Sequence, residues 1–174
     1  MKSYVRAAVG VAFIGGSVLA GSAAAASAGP RHSSRLIKTD MLTPVRAPFL
    51  GSTAIRGVLG GGAPWVIAEG EVELRADGEV KMEVEGLVID PNFPNAAVAG
   101  INPVPTFKVT VSCLSTNAAG QTVTVNVSTD PAPADRAGNS ELEAMVHLPS
   151  PCIDPIVFVA NGGGNGAWFA RTGG

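Results

Sequence analysis

Between Ala68 and Val88 the chain alternates apolar and charged residues in two runs separated by a short turn. Val72 and Leu74 fall on one side of the first run, against Glu71, Glu73 and Arg75. Val80, Met82 and Val84 do the same in the second, against Glu79, Lys81, Glu83 and Glu85. A period of two belongs to a strand with one buried face, so the stretch predicts a β-hairpin. A two-residue turn at Asp77-Gly78 would set Arg75 against Val80, a charge on the apolar face. A three-residue loop Ala76-Asp77-Gly78, with Gly78 in the left-handed region, sets Leu74 opposite Val80 and Val72 opposite Met82. Glu73 then opposes Lys81, and Arg75 opposes Glu79.

The same register carries a conflict. Glu71 faces Glu83 and Glu69 faces Glu85, and like charges directly opposite destabilise a strand pair. A solvated strand face tolerates this arrangement. A cation site or a dock for a basic segment would use it, so Glu69, Glu71, Glu83 and Glu85 are candidate site residues.

Further alternation predicts strands at 54–59, 107–115, 121–128, 141–148, 156–160 and 167–170, with 65–68 leading into the hairpin. Phe107, Val109, Val111 and Cys113 share an inward face, with Lys108, Thr110 and Ser112 outward. Val123, Val125 and Val127 alternate with Thr122, Thr124 and Asn126. His147 falls on the outward side of its strand. Twenty-two glycines and 13 prolines favour turns over long helices. The expected fold is all-β: a two-sheet antiparallel sandwich of about eight short strands spanning residues 54–174.

The first 28 residues read as a secretory signal peptide. Lys2 and Arg6 precede an apolar run from Ala7 to Ala20, too short for a membrane span, and small residues place cleavage near Ala26 or Ala28. The expected product is secreted, with no integral membrane span after cleavage. Residues 29–53 lack a period and read as an extended or disordered basic tail. Residues 29–56 hold five basic residues against one acidic, whereas residues 57–174 hold five against thirteen. Arg31, Arg35, Lys38 and Arg46 of the tail are thus expected to lie against the acidic end of the hairpin. The acidic body argues against a nucleic-acid partner.

Cys113 and Cys152 make an even count in an oxidising compartment and predict one disulfide. Asp90 and Asn92 in one Pro-rich loop, and Asp130 and Asp135 in another, offer oxygens to calcium, though an EF-hand spacing is absent. No other cofactor is expected. Trp65 reads first as a core or rim packing residue, and Trp65 and Trp168 are candidates for stacking on a glycan if both are exposed on one face. No G-x-S-x-G elbow accompanies His147. Carboxylate-pair glycosidase chemistry on the glutamate face would need a cleft and a carboxyl separation of about 5–9.5 Å.

The segments IRGVLGGGAPW (Ile55 to Trp65), LPSPCIDPIVFV (Leu148 to Val159) and WFARTG (Trp168 to Gly173) together resemble exported bacterial β-rich domains of unknown function. That resemblance implies secretion and a β-rich fold and brings no activity with it. The expectation is a secreted, non-catalytic β-sandwich that acts by binding, or as an envelope or matrix component. Self-association or an envelope partner would come through its edge strands. A glycan- or calcium-binding module is the alternative, and a carboxylate-dependent hydrolase a further one.

Overall fold

The computed structural model describes residues 33–164 and 166–173. The segment read as a signal peptide, the expected cleavage points Ala26 and Ala28, and Arg31 lie outside these residues. In chain order the strands are β1 (Arg35–Thr39), β2 (Thr43–Pro44), β3 (Ala54–Ile55), β4 (Val58–Leu59), β5 (Trp65–Val66), β6 (Glu69–Arg75) and β7 (Glu79–Glu85). They continue with β8 (Val88–Ile89), β9 (Thr106–Thr116), β10 (Thr122–Ser128), β11 (Ala132–Pro133), β12 (Ser140–Met145), β13 (Ile153–Asn161) and β14 (Trp168–Arg171). The fold is an all-β antiparallel sandwich. One sheet has the order β1-β6-β7-β12, and the other β10-β9-β13-β14-β2 with β11 also on β9. The pairs β3-β4 and β5-β8 stand apart from both. Among the described residues no helix is long and apolar enough to cross a membrane.

The central hairpin has the register its alternation dictates. Leu74 pairs with Val80, Val72 with Met82 and Glu73 with Lys81. Gly78 takes φ +95°, and its N–H donates to the Arg75 carbonyl at 3.0 Å. Only glycine fits here: a Cβ would stand 1.9 Å from the Val146 carbonyl oxygen.

Leu74, Val72, Val80, Met82 and Val84 form one wall of the core, and Phe107, Val109, Val111, Val157 and Val159 form the facing wall. Burial of each such side chain contributes about 1.5–3 kcal/mol. Cys113 closes the second wall at its edge, in a disulfide with Cys152 across 39 residues of chain.

Three expectations need correction. The basic tail is not a loose extension. Arg35–Thr39 pairs with β6 and Thr43–Pro44 with β14, so the tail supplies an edge strand to each sheet. Val45 and Leu42 are buried in the core, which is what anchors the segment. Second, 54–59 is not one strand but the tight hairpin β3-β4, turned by Arg56 at φ +49° and Gly57 at φ +83°. Positive φ at both central residues is what a two-residue turn of right-handed twist requires.

Third, the outer face of β9 is not open to water. Thr110 and Ser112 are buried. Residues 45–62 fold over this side, where Trp168 packs at 6.0 Å from Phe49 and 5.8 Å from Phe158 (ring centroids). Arg56 fastens the layer. Its Nη1 donates to the carbonyls of Asp154 at 2.6 Å and Ser112 at 3.3 Å, and its Nη2 pairs with the Asp154 carboxylate.

Candidate functional site

The outer face of the four-stranded sheet divides into two halves of different charge. Across one row Glu143 faces Lys81, Lys81 faces Glu73, and Glu73 faces Lys38, so the sign alternates over all four strands. Lys81 lies 3.1 Å from Glu143, Arg35 3.2 Å from Glu73, and Arg75 2.7 Å from Glu73 and 3.0 Å from Glu79. Partial desolvation pushes the Glu73 carboxyl up. The hydrogen bond and charge of Arg35, with Arg75 and Lys38, outweigh it and hold the group below the usual range. The bonds from Lys81 to Glu143 and Glu79 raise the lysine above its ordinary value.

One row further from the turn the alternation stops. Glu141 faces Glu83, which faces Glu71, and beyond them Glu69 faces Glu85. Asp40, at the end of β1, joins them around a groove of about 380 Å³ that Glu69, Glu71, Glu83 and Glu85 line. Lys38 sits 2.9 Å from Glu71. Among the described residues Asp40, Glu69, Glu83 and Glu85 have no cation within salt-bridge distance.

Among the described residues the basic tail therefore meets the acidic end through Lys38 alone. Arg35 serves the neutral half of the face, and Arg46 lies elsewhere, 3.2 Å from Asp90. Sequence alternation finds the four glutamates but not Asp40 or Glu141. Those two arrive through the strand order, which places β1 and β12 on either side of the hairpin.

The other candidates occupy structural positions. Trp65 and Trp168 are 2% and 1% exposed, so neither offers a face to a glycan. Trp65 stacks on Phe169 at 3.9 Å with its edge toward Phe107, at the centre of the sandwich. These rings are drawn inside because a large apolar surface gains most from burial.

The Asp and Asn oxygens proposed for calcium are mostly occupied by local bonds. Asp90 accepts the Asn92 N–H at 2.9 Å, the Asn92 side-chain amide at 3.1 Å and Arg46. Asp135 accepts the Asn139 N–H at 2.9 Å and its side-chain amide at 3.0 Å. Both carboxyls are held below the usual range, each chiefly by the backbone N–H it accepts. Asp130 is exposed, two residues past the end of β10. Among the described residues no group of three or more His, Cys, Asp and Glu is arranged to hold a metal ion.

A glycosidase pair would need more than opposed carboxylates. The groove lies on the face of a sheet, and its described lining holds no aromatic residue on which a sugar ring could stack. His147 is exposed on the segment after β12. What the acidic end can do chemically is attract positive charge. No protein family, curated protein or solved structure matches the chain.

Proposed function

We propose that the chain is an exported, non-catalytic binding or envelope component that holds a cationic partner at the acidic end of its four-stranded sheet. The observation that carries this reading is the asymmetry of one face. Every carboxylate of the neutral half has a lysine or arginine beside it, whereas five carboxylates line the groove and, among the described residues, only Glu71 of them has a cation, Lys38, within salt-bridge distance. A surface evolved only for solubility has no need to stack like charges across strands, because each opposed pair costs stability.

Export is supported by the basic, apolar and small-residue order of the first 28 residues and by a disulfide that an oxidising compartment would preserve. The acidic body disfavours nucleic acid.

Titration calorimetry with poly-lysine tests the reading. Binding should weaken steeply with salt, as screening requires, and should be lost in E69Q/E83Q/E85Q. Undiminished binding by that variant would overturn it. A parallel melt with calcium and with a chelator separates an extended cationic partner from a divalent ion, since a ligand of the native state raises the midpoint.

A further inference from the structure

Four strands end the two sheets, and three of them are defended against pairing with another chain. β1 carries Arg35 and Lys38 and a register shift between Arg35 and Ile37. β2 is two residues long and ends in Pro44. β12 presents Glu141 and Glu143, both exposed. Charge, proline, shortness and bulges are the usual means of blunting an edge.

β10 has none of these. Its seven residues, Thr-Val-Thr-Val-Asn-Val-Ser, are uncharged and contain no proline or glycine, and the ladder to β9 runs without a shift from Thr122 to Ser128. The Asn117 N–H bonds to the Gln121 carbonyl and the Thr129 N–H to the Val109 carbonyl. Alternation between these bonds turns the backbone groups of Val123, Val125 and Val127 toward β9. Those of Thr122, Thr124, Asn126 and Ser128 point away from it. Among the described residues no backbone bond joins them to another segment.

The pattern of β10 reads the same in both directions about Val125. We infer that this edge pairs with the same edge of a second copy, antiparallel about a two-fold axis through Val125. Thr122 then meets Ser128 and Thr124 meets Asn126 as hydrogen-bonded pairs, using the free backbone groups. Val123 meets Val127, and Val125 meets itself. Every pair joins like with like in polarity, and none opposes two charges. The nearest acid along the strand, Asp130, falls opposite Gly120. A two-fold contact must be self-complementary, and this strand meets that condition over its whole length. The result is one continuous sheet through two copies. The inference is independent of any cationic partner, because β10 lies in the other sheet.

Sedimentation equilibrium of the purified protein over a wide concentration range tests it. The mass should rise from that of one chain to twice that value. Thr124→Pro removes an N–H that β9 does not use, so the variant should keep its circular dichroism and stay at the mass of one chain at every concentration. Thr124→Val, which keeps the N–H, should associate like the parent. T122K/T124K changes exposed side chains only, and should also be confined to one chain by lining the edge with charge. It decides the matter if the proline variant fails to fold. A parent that stays at single-chain mass, or association that survives both T124P and T122K/T124K, would overturn the inference.

Discussion

Arg56 and Asp154 are the two non-glycine residues with positive φ among the described residues, at +49° and +47°, and they are bound to each other. Each sits in a backbone conformation that an L side chain adopts reluctantly. The bonds between them hold the β3-β4 hairpin down on the bulged start of β13. The guanidinium also reaches the Ser112 carbonyl on β9, so one side chain joins three segments.

Replacing Arg56 should therefore cost more than the ion pair alone. Asp154 is 72% exposed at its side chain, and exposed pairs contribute little, so Asp154→Asn should change stability by under about 1 kcal/mol. Arg56→Ala leaves two carbonyls without their charged donor and should cost about 2 kcal/mol. Arg56→Asn makes the control. Asn-Gly is a favoured pair for this turn, so a gain in stability on urea unfolding would show that the anchor is worth nothing. The expected result is a net loss of about 1 kcal/mol.

The disulfide should be a major support of the six-stranded sheet. It closes a loop across 39 residues of chain, which by the chain-entropy relation stabilises by about 4 kcal/mol. C113A/C152A should lower the urea midpoint accordingly. A loss under about 1 kcal/mol would mean that the unfolded chain is already restrained.

The hairpin register was legible because two signals agreed. The period of two fixed which side chains share a face, and Gly78 fixed the loop length. Cys113 was legible as an inward residue for the same reason. β1 was not, because Arg-Leu-Ile-Lys-Thr is short and bulged and finds its partners in β6, more than thirty residues on. The acidic end was half legible. Glu69, Glu71, Glu83 and Glu85 follow from local register, but Asp40 and Glu141 follow from strand order, which depends on contacts distant in sequence. Trp65 was legible as a packing residue, but nothing local fixed its partners or those of Trp168. Their place follows from Phe49, Phe107, Phe158 and Phe169, which meet them only in the folded chain.

Two glycines with similar backbone angles should answer alanine differently. Gly78 at φ +95° would place a Cβ 1.9 Å from the Val146 oxygen, whereas Gly120 at φ +76° meets nothing within 4 Å. Gly120→Ala should cost only the backbone term of about 1 kcal/mol. Gly78→Ala adds a clash with fixed backbone and should cost at least about 2 kcal/mol more. Equal midpoints for the two variants would show that the turn yields freely.

Lys38 separates the contribution of charge from that of strand pairing. Lys38→Ala should change stability by under about 1 kcal/mol, less at high salt, because its side chain is half exposed in the pair with Glu71. It should also tighten poly-lysine binding by removing a cation from the groove. Deleting residues 29–46 instead strips both edge strands and the buried Leu42 and Val45, and its cost should persist at high salt. A deletion whose cost vanished in salt would mean that β1 is held by charge alone.

Acid should unfold the protein through a small set of carboxyls. Glu73, Asp77, Asp90 and Asp135 are all held below their ordinary values in the folded chain. For Asp77 the hydroxyl of Ser33 is the first cause and the Glu79 N–H the second. A depressed carboxyl contributes stability that is fully present above its unfolded value, near pH 4, and is lost as pH falls through the folded value. Unfolding free energy should thus be level toward neutral pH and decline below about pH 4. Lys81 works in the opposite sense. Its raised value gives stability present below the ordinary lysine range and lost as pH climbs through the folded value. Asp135→Asn removes one depressed carboxyl while keeping an oxygen to accept the Asn139 N–H, so it should make the acid decline shallower. An unchanged acid limb in that variant would exclude Asp135 from the set.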